Sequence, residues 1–174
     1  DAVNYGGIGA VIRHELTHGF DDQGRQFDAK GNLTDWWTEA DAKEFEKRAG
    51  CIEKEYGEFV VSSDLKLNGK LTEGENVADN GGLRLAHMAL MEVLGGTQQA
   101  NIEGLTTDQR FFLGFAKIWC TNMREQALRH RAQHDPHSLS ANRVNDTGSH
   151  MPKFQNAFSC YICKPMVYTV AGRD

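Results

Sequence analysis

One short segment restricts this chain more than any other: His14 and His18 flank Glu15 in the pattern H-E-x-x-H. Apolar residues recur at helical spacing over residues 6–19, after a glycine-rich turn, which predicts that both histidines lie on one helix. Residues four apart share a face of a helix, so both imidazoles can reach one metal ion. The pattern therefore predicts a zinc site in which the glutamate reaches a water molecule on the metal.

A catalytic zinc site needs a third protein ligand and one open position. A third histidine in the pattern H-E-x-x-H-x-x-G-x-x-H is excluded, because Gln23, Gly24 and Arg25 stand near the required place. A glutamate on another helix is the remaining candidate, and Glu75 and Asp79 lie four residues apart in the next long helical pattern. One of these carboxylates can bind the metal while the other accepts the N–H of a ligand histidine.

The rest of the sequence is predicted to be mainly helical, with little sheet. Asn68-Gly69 between alternating residues is the strongest hairpin signal in the chain. Apolar spacing, capping residues and glycine stops predict the other elements. The predicted elements, in order, are a helix capped by Thr38, a hairpin within 60–71, a helix over 74–94, a helix from Thr106 or Thr107 to about residue 133, and a short helix over about 152–158 in an otherwise irregular tail.

Composition excludes some classes of partner. The 174 residues carry a formal net charge of −5 without a basic block, which argues against nucleic acid or an anionic membrane surface as the main partner. Cys51, Cys120, Cys160 and Cys163 allow three disulfide pairings. The last two form a C-x-x-C, but without a second such pair we interpret the cysteines as buried thiols or structural disulfides.

Several further motifs follow one another along the chain. They are Asn4-Tyr5-Gly6-Gly7-Ile8-Gly9, the segments 14–22 and 75–83, Asp35-Trp36-Trp37, Phe111-Phe112, Trp119-Cys120, His137-Ser138 and Arg143-Val144. In this order and spacing they resemble the neprilysin and endothelin-converting-enzyme family of zinc metallopeptidases over nearly the whole chain. The resemblance implies a mainly α fold, the C-terminal helical part of a thermolysin-like zincin (gluzincin) catalytic domain, with a short hairpin near 60–71.

The resemblance also implies a ligand set for one Zn²⁺ per chain. His14, His18 and Glu75 match the zinc ligands of the family. Asp79 matches the acid that orients His14, and Asp21 matches the acid that supports His18. This assignment makes Glu75 the metal ligand of the carboxylate pair.

Three further positions match residues that act on substrate in the family. Glu15 matches the catalytic base, His137 the histidine that stabilises the oxyanion, and Arg143 the arginine that holds a substrate carbonyl. Arg13 stands where the family usually has a small residue, and Leu139 replaces the proline that commonly follows His-Ser. The second departure bears on the orientation expected for His137.

Members of that family are several times longer, so residues 1–174 are interpreted as a single C-terminal portion of the catalytic domain. The upstream strand-bearing and N-terminal regions would then lie outside this sequence. We expect the fragment to bind zinc and to hydrolyse peptides weakly or not at all. Its expected partners are peptide substrate, the missing N-terminal part of the enzyme and, through exposed apolar helix faces, a second copy of itself. The resemblance implies an extracytoplasmic location, which is periplasmic, cell-surface or secreted.

The leading functional hypothesis is a zinc-dependent metalloendopeptidase that hydrolyses oligopeptides, with Glu15 as general base. One alternative from a different class is a non-catalytic, zinc-stabilised structural or peptide-binding module. A second is an aminopeptidase of the same glutamate-zincin group, which would need an acidic site for a substrate N-terminus. No residue in the sequence points to such a site.

Overall fold

Helices account for most of the computed structural model, which describes residues 1–97 and 99–160. The elements, in chain order, are α1 (Ala2–Asn4), α2 (Ala10–Thr17), α3 (Glu39–Tyr56), β1 (Val60–Ser62), β2 (Leu65–Lys66), α4 (Glu73–Val93), α5 (Thr107–Ile118), α6 (Glu125–His134), α7 (Ser140–Ser149) and α8 (Pro152–Ala157). The prediction of a mainly α fold with a small hairpin is confirmed. The interpretation of the cysteines as buried thiols or disulfides is wrong for Cys51 and Cys120, which are exposed free thiols, and Cys163 lies outside the described residues.

The first helical segment is longer than predicted. A π-helix over Tyr5–Gly9 joins α1 to α2, so the predicted glycine-rich turn is wrong and the segment is helical from Ala2. Glycine is needed here for close packing: a Cβ atom at Gly6 would collide with the backbone carbonyl of Phe111 in α5. The first helical segment therefore begins at Ala2, before the predicted start, and its glycine allows close packing against α5.

The long helix α4 forms the centre of the fold, and α2 packs along it. Close approach again depends on glycine, since a Cβ atom at Gly82 would collide with the backbone of His14. The main hydrophobic core consists of residues from α1, α2, α4, α5 and the segment before α8: Ala2, Ala10, Leu83, Ala86, Leu90, Phe111, Phe112, Phe115 and Met151. This packing brings the start of α4 beside the end of α2.

The hairpin is present, but its turn is not where the sequence predicts it. β1 and β2 pair antiparallel around a turn at Ser63 and Asp64. Asn68 instead forms the turn that leads into α4, where its side chain accepts a hydrogen bond from the N–H of Leu71 at 3.0 Å. The observed turn is stabilised by a residue far along the chain: Arg129 of α6 donates two hydrogen bonds to Asp64, at 2.7 and 2.8 Å.

The predicted helix from residue 107 to about 133 is two helices. The capping box of Thr106 and Gln109 is present at the start of α5, as expected. The helix ends at Ile118, however, and residues 119–124 are not helical. This segment places the indole of Trp119 beside α7, with its ring centroid 3.9 Å from Arg143 Cζ.

The prediction that the tail is irregular is also wrong, because the tail contains the ten-residue helix α7. Asparagine, threonine, glycine and serine are poor helix formers, so propensity gave no helix signal. The helix is stabilised by tertiary packing, with Arg143, Asp146 and Thr147 among its buried residues. Within the described part of the chain, no helix combines the length and the apolar character needed to cross a membrane.

Candidate metal centre and catalytic residues

His14, His18 and Glu75 bring three ligand atoms together between the end of α2 and the start of α4. The Nε2 atoms of the two histidines lie 3.0 Å apart. Glu75 Oε2 lies 3.3 Å from His14 Nε2, and Glu75 Oε1 lies 3.6 Å from His18 Nε2. Within residues 1–97 and 99–160, these three residues are the group whose ligand atoms lie close enough together to hold a metal ion.

The donor atoms and their spacing suit a zinc ion. Zinc binds imidazole nitrogen and carboxylate oxygen at about 2.0–2.2 Å in a tetrahedron, whose corners then lie roughly 3.3–3.6 Å apart. The two histidine nitrogens lie 3.0 Å apart, and each lies 3.3 or 3.6 Å from one of the two oxygens of the Glu75 carboxylate, so the donor atoms are spaced on the scale of such a site. Three protein ligands leave one corner open, which is the arrangement of catalytic zinc sites.

Asp79 holds the side chain of His14 through its second ring nitrogen. The distance from His14 Nδ1 to Asp79 Oδ1 is 2.8 Å, and the contact fixes the orientation of the ring. Burial alone would lower the pKa of His14, but hydrogen bonds to Asp79 and Glu75 outweigh it and raise the pKa to about 9. Burial would raise the pKa of Glu75, and the neighbouring His14, His137 and Arg143 lower it overall.

Asp21 supports His18 in the same way. His18 lies in a short 3₁₀ turn directly after α2, and its Nδ1 lies 2.6 Å from Asp21 Oδ2. The other oxygen of this carboxylate accepts hydrogen bonds from the backbone N–H groups of Gln23 and Gly24, at 2.9 and 2.6 Å. The contacts of Asp21 are therefore those expected of an acid that supports His18.

Arg143 reaches the site from α7. Its Nε and Nη2 atoms donate hydrogen bonds to the two oxygens of Asp79, at 2.6 and 2.7 Å. Nη2 also lies 3.4 Å from Glu75 Oε2, and the guanidinium stacks on the ring of Trp119. The side chain is 5% exposed, so a buried ion pair joins α7 to α4 beside the metal ligands.

His137 faces the site from the segment between α6 and α7. Its Nε2 lies 3.3 Å from Glu75 Oε1, and its Nδ1 lies 2.7 Å from Asp135 Oδ1. Burial would raise the pKa of Asp135, but hydrogen bonds from His137 and Arg131 outweigh it and lower the pKa to about 2. The ring of His137 is thus held by a carboxylate, as His14 and His18 are.

Sequence reasoning missed two of these supporting contacts. No role in the site was predicted for Asp135, although an acid two residues before a candidate histidine could have indicated the pair. The hydroxyl of Ser138 donates a hydrogen bond to Asn76 Oδ1 at 2.6 Å, which fixes the His137 segment on α4. The sequence carries no signal for this second contact, because its partners are 62 residues apart.

Glu15 is exposed and borders a cavity of about 420 Å³ beside the metal ligands. The cavity is lined by apolar side chains of Val11, Phe115 and Trp119 and by polar side chains of Glu15, His137 and Arg143. The structure therefore brings every predicted site residue to one region of the fold. Their chemical roles stay predictions.

The fold and this site define a thermolysin-like zincin, the class in which two histidines of H-E-x-x-H and a glutamate from a second helix converge. Within that class, the chain belongs to Peptidase family M13, whose sequence profile matches residues 1–173.

Curated relatives and solved structures agree with this family. The chain is 46% identical to Neprilysin-1 of Caenorhabditis elegans, and 41% identical to endothelin-converting enzyme 1 of Rattus norvegicus, in each case over 95% of its own length. Its structure is similar to the Mycobacterium tuberculosis zinc metalloprotease Zmp1 in complex with an inhibitor, with a TM-score of 0.91 and 40% identity. That likeness covers 97% of this chain and 26% of Zmp1.

The chain is much shorter than these relatives. It spans 23% of the length of Neprilysin-1 and 22% of that of endothelin-converting enzyme 1.

Proposed function

We propose that this chain carries the zinc-binding catalytic centre of a metalloendopeptidase that hydrolyses oligopeptides. The observation that carries the proposal is the convergence of His14, His18 and Glu75 beside a cavity that Glu15 also lines. Membership of Peptidase family M13 supports it.

One zinc ion per chain, held by these three ligands, would polarise a scissile carbonyl group and lower the pKa of a water molecule toward about 7. Asp79 and Asp21 keep the ligand nitrogens of His14 and His18 turned toward the site, because each accepts a hydrogen bond at the opposite ring nitrogen.

Glu15 is the proposed general base. It follows His14 directly in the chain, and its carboxylate is exposed at the cavity. In this role a carboxylate oxygen takes a proton from the attacking water and later passes it to the leaving amine.

His137 and Arg143 are the proposed groups that contact the substrate. With the Nδ1–H of His137 donating to Asp135, its Nε2 faces the site and, when both ring nitrogens carry protons, can donate to the oxyanion that develops at the carbonyl. The guanidinium of Arg143 is held by Asp79 at the cavity wall, where it can hold a second carbonyl of the peptide.

We further propose that residues 1–174 are the C-terminal portion of a catalytic domain and that the strand along which a peptide docks lies outside this sequence. Peptide backbones dock well by adding a strand to a sheet edge. The chain covers less than a quarter of the length of its curated relatives, which supports the proposal. On this basis the fragment binds zinc but hydrolyses peptides weakly or not at all. An extracytoplasmic location stays a prediction.

Self-association of the fragment also stays a prediction, supported by exposed apolar side chains on the first helical segment. Ile8, Ile12 and Leu16 recur at a spacing of four residues and are 61%, 53% and 54% exposed. Sedimentation at increasing concentration tests it, and a monomer throughout would contradict it.

Elemental analysis and a peptide cleavage assay test the proposed function. The purified chain should contain one zinc per molecule, and a Glu15→Gln variant should keep the zinc while losing any residual hydrolysis. A chain that holds no zinc, even after incubation with the metal, would contradict the site. Residual hydrolysis unchanged in Glu15→Gln would contradict the role of the base, and zinc binding without any hydrolysis in the whole enzyme would favour the non-catalytic module.

A further inference from the structure

A second buried polar cluster lies behind the metal centre, where α3, α4 and α7 meet. His150, directly after α7, contacts Asn80 of α4 and Glu55 of α3. The distance from His150 Nδ1 to Asn80 Oδ1 is 2.8 Å, and that from His150 Nε2 to Glu55 Oε1 is 2.9 Å. The side chains of Glu55 and His150 are only 13% and 11% exposed.

The hydrogen bonds of Asn80 determine which atoms of this cluster carry protons. Its Nδ2 donates to the backbone carbonyl of Asn76 at 2.8 Å and to the hydroxyl of Tyr56 at 3.3 Å, so Oδ1 is the acceptor facing His150. His150 Nδ1 must therefore carry a proton. Its Nε2 faces a carboxylate, although the oxygen lies off the direction of an ideal hydrogen bond. His150 therefore donates to Asn80 and turns its other ring nitrogen toward the Glu55 carboxylate, so that one side chain contacts both α4 and α3.

The same face of α7 connects this cluster with Arg143. Arg143, Thr147 and His150 lie at positions i, i+4 and i+7, and each contacts a neighbouring helix. Arg143 binds Asp79, and the Thr147 hydroxyl lies 3.3 Å from that of Tyr56. The contact of Arg143 with Asp79 and that of His150 with Asn80 lie about 10 Å apart along the helix axis, and they fix α7 against α4 at both ends.

We propose that Glu55 and His150 are positioning residues for the candidate metal site. By fixing the C-terminal end of α7 on α3, beside the contact of His150 with α4, the pair holds Arg143 in the orientation in which it binds Asp79, and Asp79 in turn orients His14. This inference rests on the proposed function, because it presupposes that the site binds zinc. Glu55 and His150 would affect the zinc ligands without touching them. Supporting groups of this kind alter metal affinity through ligand orientation.

Zinc affinity, measured by chelator competition, tests the proposal in the full chain. His150→Asn removes the contact with Glu55 and so holds the end of α7 less firmly, and zinc binding should weaken by about tenfold. The double variant Glu55→Gln with His150→Gln replaces the pair by two amides that can hydrogen-bond to each other, because a glutamine side chain at position 150 reaches as far as the His150 Nε2. It should restore zinc affinity to nearly that of the unmodified chain.

A matched control separates positioning from a general loss of stability. His87 of α4 is also buried and pairs with Asp108 at 2.8 Å, on the part of α4 remote from Glu75. His87→Asn should lower the melting temperature without changing zinc affinity. Equal zinc affinity in His150→Asn and the unmodified chain would overturn the inference while leaving the proposed function intact.

Unfolding of the metal-free protein provides a second test that does not depend on zinc. If His150 positions Arg143, the loss of melting temperature in the double variant His150→Asn with Arg143→Lys should be smaller than the sum of the two single losses. The reason is that His150→Asn already weakens the ion pair between Arg143 and Asp79 that Arg143→Lys disrupts. Strict additivity would overturn the inference. If the unmodified chain binds no zinc, the proposed function fails and this measurement still decides the role of His150.

Discussion

Arg143 and His14 are both bound to one oxygen of Asp79: Oδ1 lies 2.7 Å from the arginine Nη2 and 2.8 Å from the histidine Nδ1. The carboxylate of α4 thus joins α7 to α2, and the joined residues are a proposed metal ligand and a proposed substrate-binding group. Because all three side chains are buried, none of these contacts is weakened by competing water.

Replacing Asp79 by asparagine should therefore affect both stability and zinc binding. The change leaves the buried guanidinium of Arg143 with only its longer contact to Glu75 as an ion pair, which should cost up to about 3–5 kcal/mol of unfolding free energy. Zinc affinity should fall by roughly 10–100-fold. Denaturant unfolding and chelator competition measure the two effects. The control is Asp64→Asn at the exposed pair with Arg129, which should change zinc affinity little.

Zinc binding should become tighter as the pH rises from about 6 to 9. Contacts with Asp79 and Glu75 raise the pKa of His14 to about 9 in the metal-free chain, so the ligand must lose a proton before it can bind metal. The dissociation constant should fall by about tenfold per pH unit in this range. Chelator competition at several pH values, with proton release recorded in weak buffer, measures it. A dissociation constant independent of pH would contradict the prediction.

Asp146 should make the protein less stable as the pH rises. Burial is the main cause that raises its pKa to about 7, with Glu55 adding to the shift and a hydrogen bond from Asn142 opposing it. Between pH 4 and 7 the folded state then binds a proton that the unfolded state has lost, so this carboxyl favours folding less at higher pH. Asp146→Asn should remove this dependence and increase the unfolding free energy at pH 8 by about 2–4 kcal/mol.

The comparison for Asp146 is denaturant unfolding at pH 5 and pH 8. The unmodified chain should lose more stability between these two values than Asp146→Asn does. Parallel losses in the two proteins would show that another group titrates.

Two glycine substitutions should have opposite effects. Gly82→Ala places a methyl group against the backbone of His14, which should cost about 1–3 kcal/mol and weaken zinc binding by separating α2 from α4. Gly50 lies in α3 with no atom within 4 Å of the position of a Cβ, so Gly50→Ala should increase stability by about 0.5–1 kcal/mol. Thermal or denaturant unfolding compares them, and a destabilised Gly50→Ala would contradict this reasoning.

Local signals in the sequence predicted the elements that hold the three metal ligands. Thr38 caps α3 as expected, and α4 differs from its predicted bounds by one residue at each end. The H-E-x-x-H pattern predicted that His14 and His18 lie together, helical spacing made Glu75 and Asp79 the candidate carboxylates, and the resemblance chose Glu75 as the ligand. These predicted helices agree with the structure because periodicity and capping depend on neighbouring residues.

The failures depend on contacts between residues far apart in the chain. Arg129 binds Asp64 from another helix, and this supports a hairpin turn that the Asn-Gly rule places elsewhere. The helix α7 forms because Arg143 and Thr147 find partners on α3 and α4, although its own residues favour other structures. Pattern reasoning does not include such partners, so it missed the helix while naming Arg143 within it.

The π-helix at Tyr5–Gly9 sets the rotational phase of α2. Each residue turns an α-helix by about 100°, so a deletion of one residue in this segment would rotate every later side chain of α2 by that angle about its axis. His14 and His18 would then point away from Glu75, even though the five-residue motif itself remained intact. The direction in which the histidine pair faces is thus encoded upstream of the motif, in the number of residues between α1 and α2.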